Sequence, residues 1–360
     1  MKIKHIRVRS EDLELTRPYT IAYRTVDRVS NCVVELESDT GLIGWGAANP
    51  STKVVGVDVN DTVAALSEEA VAWFIGRDIC ELHRLSSEVQ THFANQPGAA
   101  QPGAAAALDM ALYDLFAQYL KVPLVQYLGR QHRSLPTSIT IGIKGVDETL
   151  TEAEEHIARG FRILKVKLGH SPEEDLARLH KLREALGKEI IIRVDANQGY
   201  SFLQLEDFYY QTLGLNLELI EQPLPVKDTE NYQKLPAEIK AQIALDESLV
   251  SPTDAWRLAS RPAAGGIFNI KLMKCGGLTP AREIATIAKS AGIDLMWGCN
   301  DESIISISAA LHLALATPHT KYLDLDGSLD LARDVVSGGF VLKDGELSVT
   351  DATGLGVKSI

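Results

Sequence analysis

The chain has 360 residues, 45% hydrophobic and 23% charged, an ordinary globular composition with room for a barrel and a second domain. A formal net charge of −12 argues against nucleic acid and anionic membrane as partners. No apolar run approaches the roughly 18 residues of a membrane-spanning helix. Cys32, Cys80, Cys275 and Cys299 form no CxxC pair, so a reduced, cytoplasmic setting is expected and a zinc site is not. The chain has neither a P-loop nor a GxGxxG after a strand, and nucleotide binding has no support.

Met1 to Ile6 alternates polar and apolar like a strand, unlike a signal peptide. Ile3 to Val8 and Cys32 to Leu36 predict strands, with a hairpin turn signal at Asp39-Thr40-Gly41. Between them Leu15 to Arg28 reads as a polar loop, and Gly44 to about Asp58 as a Gly- and Pro-rich loop. A helical pattern runs from Asp61 to about Leu128, with breaks at Pro97-Gly98 and Pro102-Gly103. Its strongest part is Ala104 to Tyr119, where Leu108, Leu112, Leu115 and Tyr119 recur at helical spacing.

From about Leu135 to Leu325 short apolar runs alternate with helices. A first strand fits Thr137 to Ile141. The next runs end in charge at Lys167, Asp195, Glu221, Asp246 and Lys271, at intervals of 25 to 28 residues. That interval is one strand, one helix and two loops. Helices are predicted over 146–159, 172–186, 203–213, 228–235, 252–259 and 279–291, the last with Thr279 as N-cap and Pro280 at its first position. Asp294 to Trp297 and Tyr322 to Leu325 supply the seventh and eighth strands. Phe340 to Leu342 before Lys343-Asp344-Gly345 reads as a hairpin returning to the N-terminal domain. The expected fold is α/β: a (β/α)7β modified TIM barrel over 131–330 with an α+β capping domain built from both chain ends, 1–130 and about 335–360.

Charges at the C-terminal ends of barrel strands converge on one mouth. Lys165 and Lys167 share a strand face, and their mutual repulsion is expected to lower one pKa, as suits a general base. Asp195, Glu221 and Asp246 offer three oxygen ligands without histidine or cysteine, which favours Mg²⁺ over Zn²⁺. Any one of them alone reads equally well as a helix N-cap; three in register do not. Lys271 ends the sixth strand across the barrel, so it and the Lys165/Lys167 strand would flank one substrate carbon. Lys274, three residues on, is expected at the surface.

These stretches resemble the enolase superfamily, specifically its muconate-lactonizing-enzyme subgroup. The matching motifs are Lys165-Val166-Lys167, Asp195-Ala196-Asn197-Gln198, Glu221-Gln222-Pro223, Asp246-Glu247-Ser248, Asn269 through Gly277, and the capping helix Ala106 to Asp114. The resemblance covers nearly the whole chain. It implies Mg²⁺, Lys167 and Lys271 as acid/base residues, and Lys165 as support for an enolate. At the eighth strand Asp324-Leu325-Asp326 places two carboxylates on one face, and within the subgroup this resembles the dipeptide epimerases, where the pair holds the substrate's free α-ammonium.

The function expected from this resemblance is an isomerase that inverts the α-carbon of a dipeptide's C-terminal residue by 1,1-proton transfer. Asp301 after the seventh strand could attract a cationic side chain, and Arg24 in the first capping loop an acidic one, so side-chain preference stays open. A homo-oligomer is expected. The same scaffold serves muconate cycloisomerase and o-succinylbenzoate synthase, whose substrates carry no ammonium for Asp324 and Asp326. A binding protein without catalysis would need no opposed lysines.

Overall fold

The computed structural model describes residues 1–21, 24–96, 99–169 and 171–360, without the side chains of 19–21, 24 and 25. Strands β1 (Ile3–Ile21), β2 (Arg24–Ser38) and β3 (Ile43–Ala48) form an antiparallel sheet. After the short β4 (Leu135–Pro136) come eight parallel strands in sequential order: β5 (Ile139–Ile141), β6 (Ile163–Lys167), β7 (Ile191–Asp195), β8 (Leu217–Glu221), β9 (Ile243–Leu245), β10 (Ile267–Ile270), β11 (Asp294–Gly298) and β12 (Thr320–Asp324). Such strands are covered on both faces and read as apolar runs; Ile192 and Val194 are fully buried.

The barrel seam lies between β12 and β5. A parallel bridge joins Thr137 to Leu323. Buried Arg193 donates to the Leu323 carbonyl at 2.6 Å and to Glu218 at 2.6 Å. The chain ends with β13 (Val336–Gly338), β14 (Phe340–Lys343), β15 (Glu346–Val349) and β16 (Val357–Ser359). β14 and β15 are the expected hairpin. The tail reaches back to the N-terminal half: Leu355 N–H donates to Asp114 at 2.7 Å, and Leu124 N–H to the Gly354 carbonyl at 2.8 Å.

Both N-terminal loops expected from the sequence contain strand: the first wherever it is described, the second from Gly44 to Ala48, after which a short helix follows at Thr52–Val55. β1 and β2 continue through residues 15–21 and 24–28, because Leu13, Leu15, Val26 and Val29 bury together among the polar side chains. Gly44 and Gly46 lie in β3, against the helix Pro102–Tyr119. A Cβ on Gly46 would stand 1.8 Å from the Ala107 carbonyl, and one on Gly44 2.2 Å from that of Ala111. These glycines serve close backbone approach, not a turn. Pro102-Gly103 likewise opens that helix instead of breaking it.

Two further differences sit in the barrel's helices. The helix expected from Thr279 begins at Leu278, with Gly277 as N-cap. The buried Asp109 carboxylate, from the 102–119 helix, accepts the Leu278 and Thr279 N–H groups at 2.7 and 3.2 Å, so no local cap is needed. The helix Ile304–Ala316 gave no amphipathic signal because it is buried nearly all round.

His312, fully buried on that helix, accepts the Val125 N–H at Nδ1 at 2.9 Å, while Nε2 faces the Leu355 carbonyl at 3.4 Å. It is therefore the neutral Nε2–H tautomer, and burial lowers its pKa from 6.5 to about 3. The unfolded chain takes up this proton below 6.5 and the folded chain does not until about 3, so stability is fully present above 6.5 and lost as pH falls. The loss at pH 5 is expected to be roughly 2 kcal/mol. In urea unfolding, His312→Asn should be less stable than the native chain at pH 7.5 but lose less between pH 7.5 and 5; equal losses would dismiss the histidine's role.

Candidate active site

The strand register brings the charges together. Lys167 pairs with Asp195 across β6 and β7, and Asp195 with Glu221 across β7 and β8. Asp246 follows β9 and Lys271 follows β10 directly. Lys165, Asp195, Glu221, Asp246 and Lys271 are all buried, while Lys167 keeps 15% of its side chain exposed at the mouth.

The ammonium groups lie between the carboxylates. Lys165 Nζ stands 2.7 Å from Asp324, 2.8 Å from Glu221 and 3.3 Å from Asp195. Lys167 donates to Asp195 at 2.6 Å, and Lys271 sits 2.9 Å from Asp246 and 3.4 Å from the Asn300 side-chain oxygen. Lys274 is not at the surface. The turn after β10 folds it inward, where it donates to the Asp246 carboxylate, to the Asp246 carbonyl at 2.6 Å and to the Asn269 carbonyl at 3.2 Å. Spacing along the chain implies exposure; instead the second oxygen of the buried Asp246 carboxylate, whose first faces Lys271, and two buried carbonyls take up its ammonium.

The expected lowering of a lysine pKa by repulsion does not hold for Lys165. Burial favours the neutral amine, but Asp324, Glu221 and Asp195 outweigh it and raise the pKa. Lys271 is raised likewise, burial being overcome by Asp246 and Glu221. Asp195 is held down at about 2, against its burial, by Lys167 and Lys165. Glu221 is pushed up to about 8, first by burial and then by the Asp195 charge.

Among the described residues no three His, Cys, Asp or Glu side chains are drawn onto one metal-sized point, since the lysines occupy the space between them. The donor set nevertheless fits a hard divalent cation. Asp195, Glu221 and Asp246 are buried carboxylates at three consecutive strand ends, and Glu221 Oε2 touches the Lys165 ammonium yet makes no hydrogen bond. The all-oxygen set and the concentration of carboxylates around Glu221 suit Mg²⁺.

Supporting residues hold these carboxylates from behind. Asn269 donates to Glu221 at 3.0 Å, and the Asn197 N–H to Asp195 at 2.9 Å. Gln222 is fully buried and at positive φ; its amide oxygen accepts the Asp246 and Ser248 N–H groups while its nitrogen bonds Tyr232 and Ser248. A polar Asn inside the apolar run Ile267-Phe268-Asn269-Ile270 was the readable signal for Asn269; Gln222 carried none beyond its place after Glu221.

Asp324 and Asp326 part company. Asp324 is buried and committed to Lys165 and to Ser138 Oγ, at 2.7 Å each. Asp326 lies beyond the end of β12, half-buried, and accepts the Thr140 N–H at 2.7 Å. Burial and then the Asp324 charge raise its pKa to about 7. Asp301 stands at the mouth. Arg24 opens β2, but its side chain lies outside the described residues. The capping hairpin contributes Arg17, paired with Glu152 at 3.3 Å and Glu155 at 2.7 Å.

A cavity of about 150 Å³ joins Arg17, Asn49, the three strand-end lysines, Asp246, Asp301, Asp324 and Asp326. A larger depression of about 750 Å³ opens at the N-terminal ends of the barrel strands, among Leu235, Lys240, Arg261 and Ile293, but carries no carboxylate. In (β/α) barrels chemistry sits at the opposite, C-terminal face.

A parallel barrel with opposed lysines and carboxylates at its strand ends, under an antiparallel cap, defines an enolase-type scaffold. Residues 148–359 match the enolase C-terminal domain-like family, and residues 3–129 match the mandelate racemase / muconate lactonizing enzyme N-terminal domain. The chain belongs to this family, in the muconate-lactonizing-enzyme subgroup of the enolase superfamily. It is 56% identical over 360 residues to the L-Lys-D/L-Arg epimerase of Methylococcus capsulatus, covering 99% of each chain. The crystal structure of a dipeptide epimerase from Methylococcus capsulatus complexed with Mg and the dipeptide L-Arg-D-Lys superposes with a TM-score of 0.96 at 55% identity, covering 99% of each chain. The hydrophobic dipeptide epimerase of Enterococcus faecalis is 34% identical over 359 residues, again covering 99% of each.

Proposed function

We propose that this chain is a Mg²⁺-dependent dipeptide epimerase that inverts the α-carbon of the C-terminal residue, with a preference for cationic dipeptides. The observation that carries the reaction is the placement of Lys167 and Lys271 on either side of one buried carboxylate set. One lysine removes the α-proton and the other delivers a proton to the opposite face. Asp195, Glu221 and Asp246 would hold Mg²⁺. When bound, the cation supplies positive charge where the substrate carboxylate gains negative charge as the α-proton leaves. Lys165 adds a fixed positive charge to the same buried region.

Asp326 is the group available for the α-ammonium, because Asp324 is spent on Lys165 and Ser138. The cavity lining holds seven carboxylates and four cationic groups, a balance that favours a positively charged substrate. Identity to the L-Lys-D/L-Arg epimerase supports the same preference.

The test is solvent exchange. L-Lys-L-Arg incubated with enzyme and Mg²⁺ in D₂O should take up deuterium at the C-terminal α-position and yield the D-epimer, read by NMR. N-acetyl-L-Lys-L-Arg should react far more slowly, since Asp326 loses its ammonium partner. Equal turnover of the N-acetyl dipeptide or of an N-succinyl amino acid would move the enzyme to another activity of the subgroup, and no exchange with any dipeptide would end the reading.

A further inference from the structure

Behind Lys167, on the outer side of the barrel wall, lies a polar cluster that touches none of the reacting groups. The helix Pro172–Leu186 carries Asp175 and Arg178 one turn apart, both buried. The Arg178 guanidinium donates to the Lys167 carbonyl at 2.7 Å, to Asp175 at 2.9 Å and to the Lys144 carbonyl at 3.3 Å. The other oxygen of Asp175 accepts the Gly169 N–H at 2.9 Å and the Tyr200 hydroxyl at 3.0 Å. The Leu168 N–H between them donates to the Asp195 carbonyl at 2.8 Å. The Lys167 carbonyl, the Leu168 N–H and the Gly169 N–H are thus each held, and the chain then leaves through Gly169 at φ 122.

A buried ion pair is a poor source of stability, because packed apolar side chains of similar volume often serve as well. This pair instead gathers three rim segments: the end of β6, the loop after β5 through Lys144, and the loop after β7 through Tyr200. We propose that Arg178, Asp175 and Tyr200 are positioning residues for Lys167. They fix the backbone from which its ammonium reaches the substrate α-carbon. Their effect is confined to one face of the substrate, because Lys271 follows β10 and shares none of these contacts. The inference rests on the reading of Lys167 and Lys271 as opposed bases.

The two faces can be read separately. Each epimer of the dipeptide loses its α-proton to one lysine, so deuterium exchange of each epimer reports one base. Lys167→Ala identifies the epimer served by Lys167. Tyr200→Phe, which removes one hydrogen bond and leaves the ion pair, and Arg178→Lys, which keeps the charge without the planar fork, should slow exchange of that same epimer. For Arg178→Lys the slowing should be roughly tenfold or more, as expected of a misplaced reacting group. Exchange of the other epimer should stay near the native rate, as a loss confined to the Lys167 face leaves it. A general loosening of the fold would lower both together. Equal loss for both epimers, or native exchange of both by the two variants, overturns the proposal. Should Arg178→Lys fail to fold, Tyr200→Phe decides alone. If Lys167→Ala shows no selectivity between epimers, the opposed-base reading falls and this proposal with it; selectivity there without it in the other variants overturns the positioning role only.

Discussion

Replacement of Lys271 by alanine is expected to abolish epimerisation in both directions, by a factor of roughly 10³ or more, within the range of general acid–base catalysis. Inversion needs one group to take the proton and another to return it on the opposite face, so losing either stops both directions. Deuterium exchange of one epimer, through Lys167, should survive. The fold should survive too. Asp246 is paired with two ammonium groups, and Lys274 remains bonded to its carboxylate and its carbonyl when Lys271 is gone. The truncation therefore does not strand a buried charge, the usual cause of collapse when one partner of an ion pair is removed. Chiral chromatography of the products and NMR of the residual substrate measure the two effects. Epimerisation at the native rate would refute the pair of bases.

Much of this site was legible because barrel strands announce themselves twice. Their apolar runs end in charge, and the spacing of those charges repeats with each strand and helix. Lys165, Lys167, Asp195, Glu221, Asp246 and Lys271 fall together in the structure for that reason. What was not legible depends on long-range packing. Gly44 and Gly46 looked like turn residues because local sequence does not show the helix pressing on β3. The helix Ile304–Ala316 had no polar face to give it a period. Thr279 lost its capping role to Asp109, a residue 170 positions away. The distance of Lys274 past a strand implies the surface, whereas a four-residue helix, Leu272–Cys275, turns it back beneath Asp246. For Lys165, repulsion by a neighbouring lysine weighs one charge and omits the carboxylates around it, which the fold brings from three other strands. Asp324 and Asp326 share a strand parity and both line the cavity, yet the strand ends at Asp324, which is committed to Lys165 and Ser138, while Asp326 lies beyond it.

Replacement of Asp195 by asparagine is expected to weaken Mg²⁺ binding by at least about 100-fold, the upper end of what losing a mere supporting partner does. Asparagine keeps the shape and can still accept the Asn197 N–H that Asp195 accepts at 2.9 Å. It replaces an anionic oxygen ligand by a neutral one, which lowers the ligand charge that sets the affinity for a hard cation. The lysines are not stranded, since Lys165 retains Glu221 and Asp324, and Lys167 is partly open to solvent. Calorimetric titration with Mg²⁺ measures the affinity directly, apart from any turnover. Circular dichroism would confirm that the variant is folded. Addition of excess chelator to the native enzyme should abolish exchange and epimerisation, and Mg²⁺ should restore both. Unchanged Mg²⁺ affinity in Asp195→Asn would remove Asp195 from the metal site, and full activity in chelator would remove the metal from the reaction.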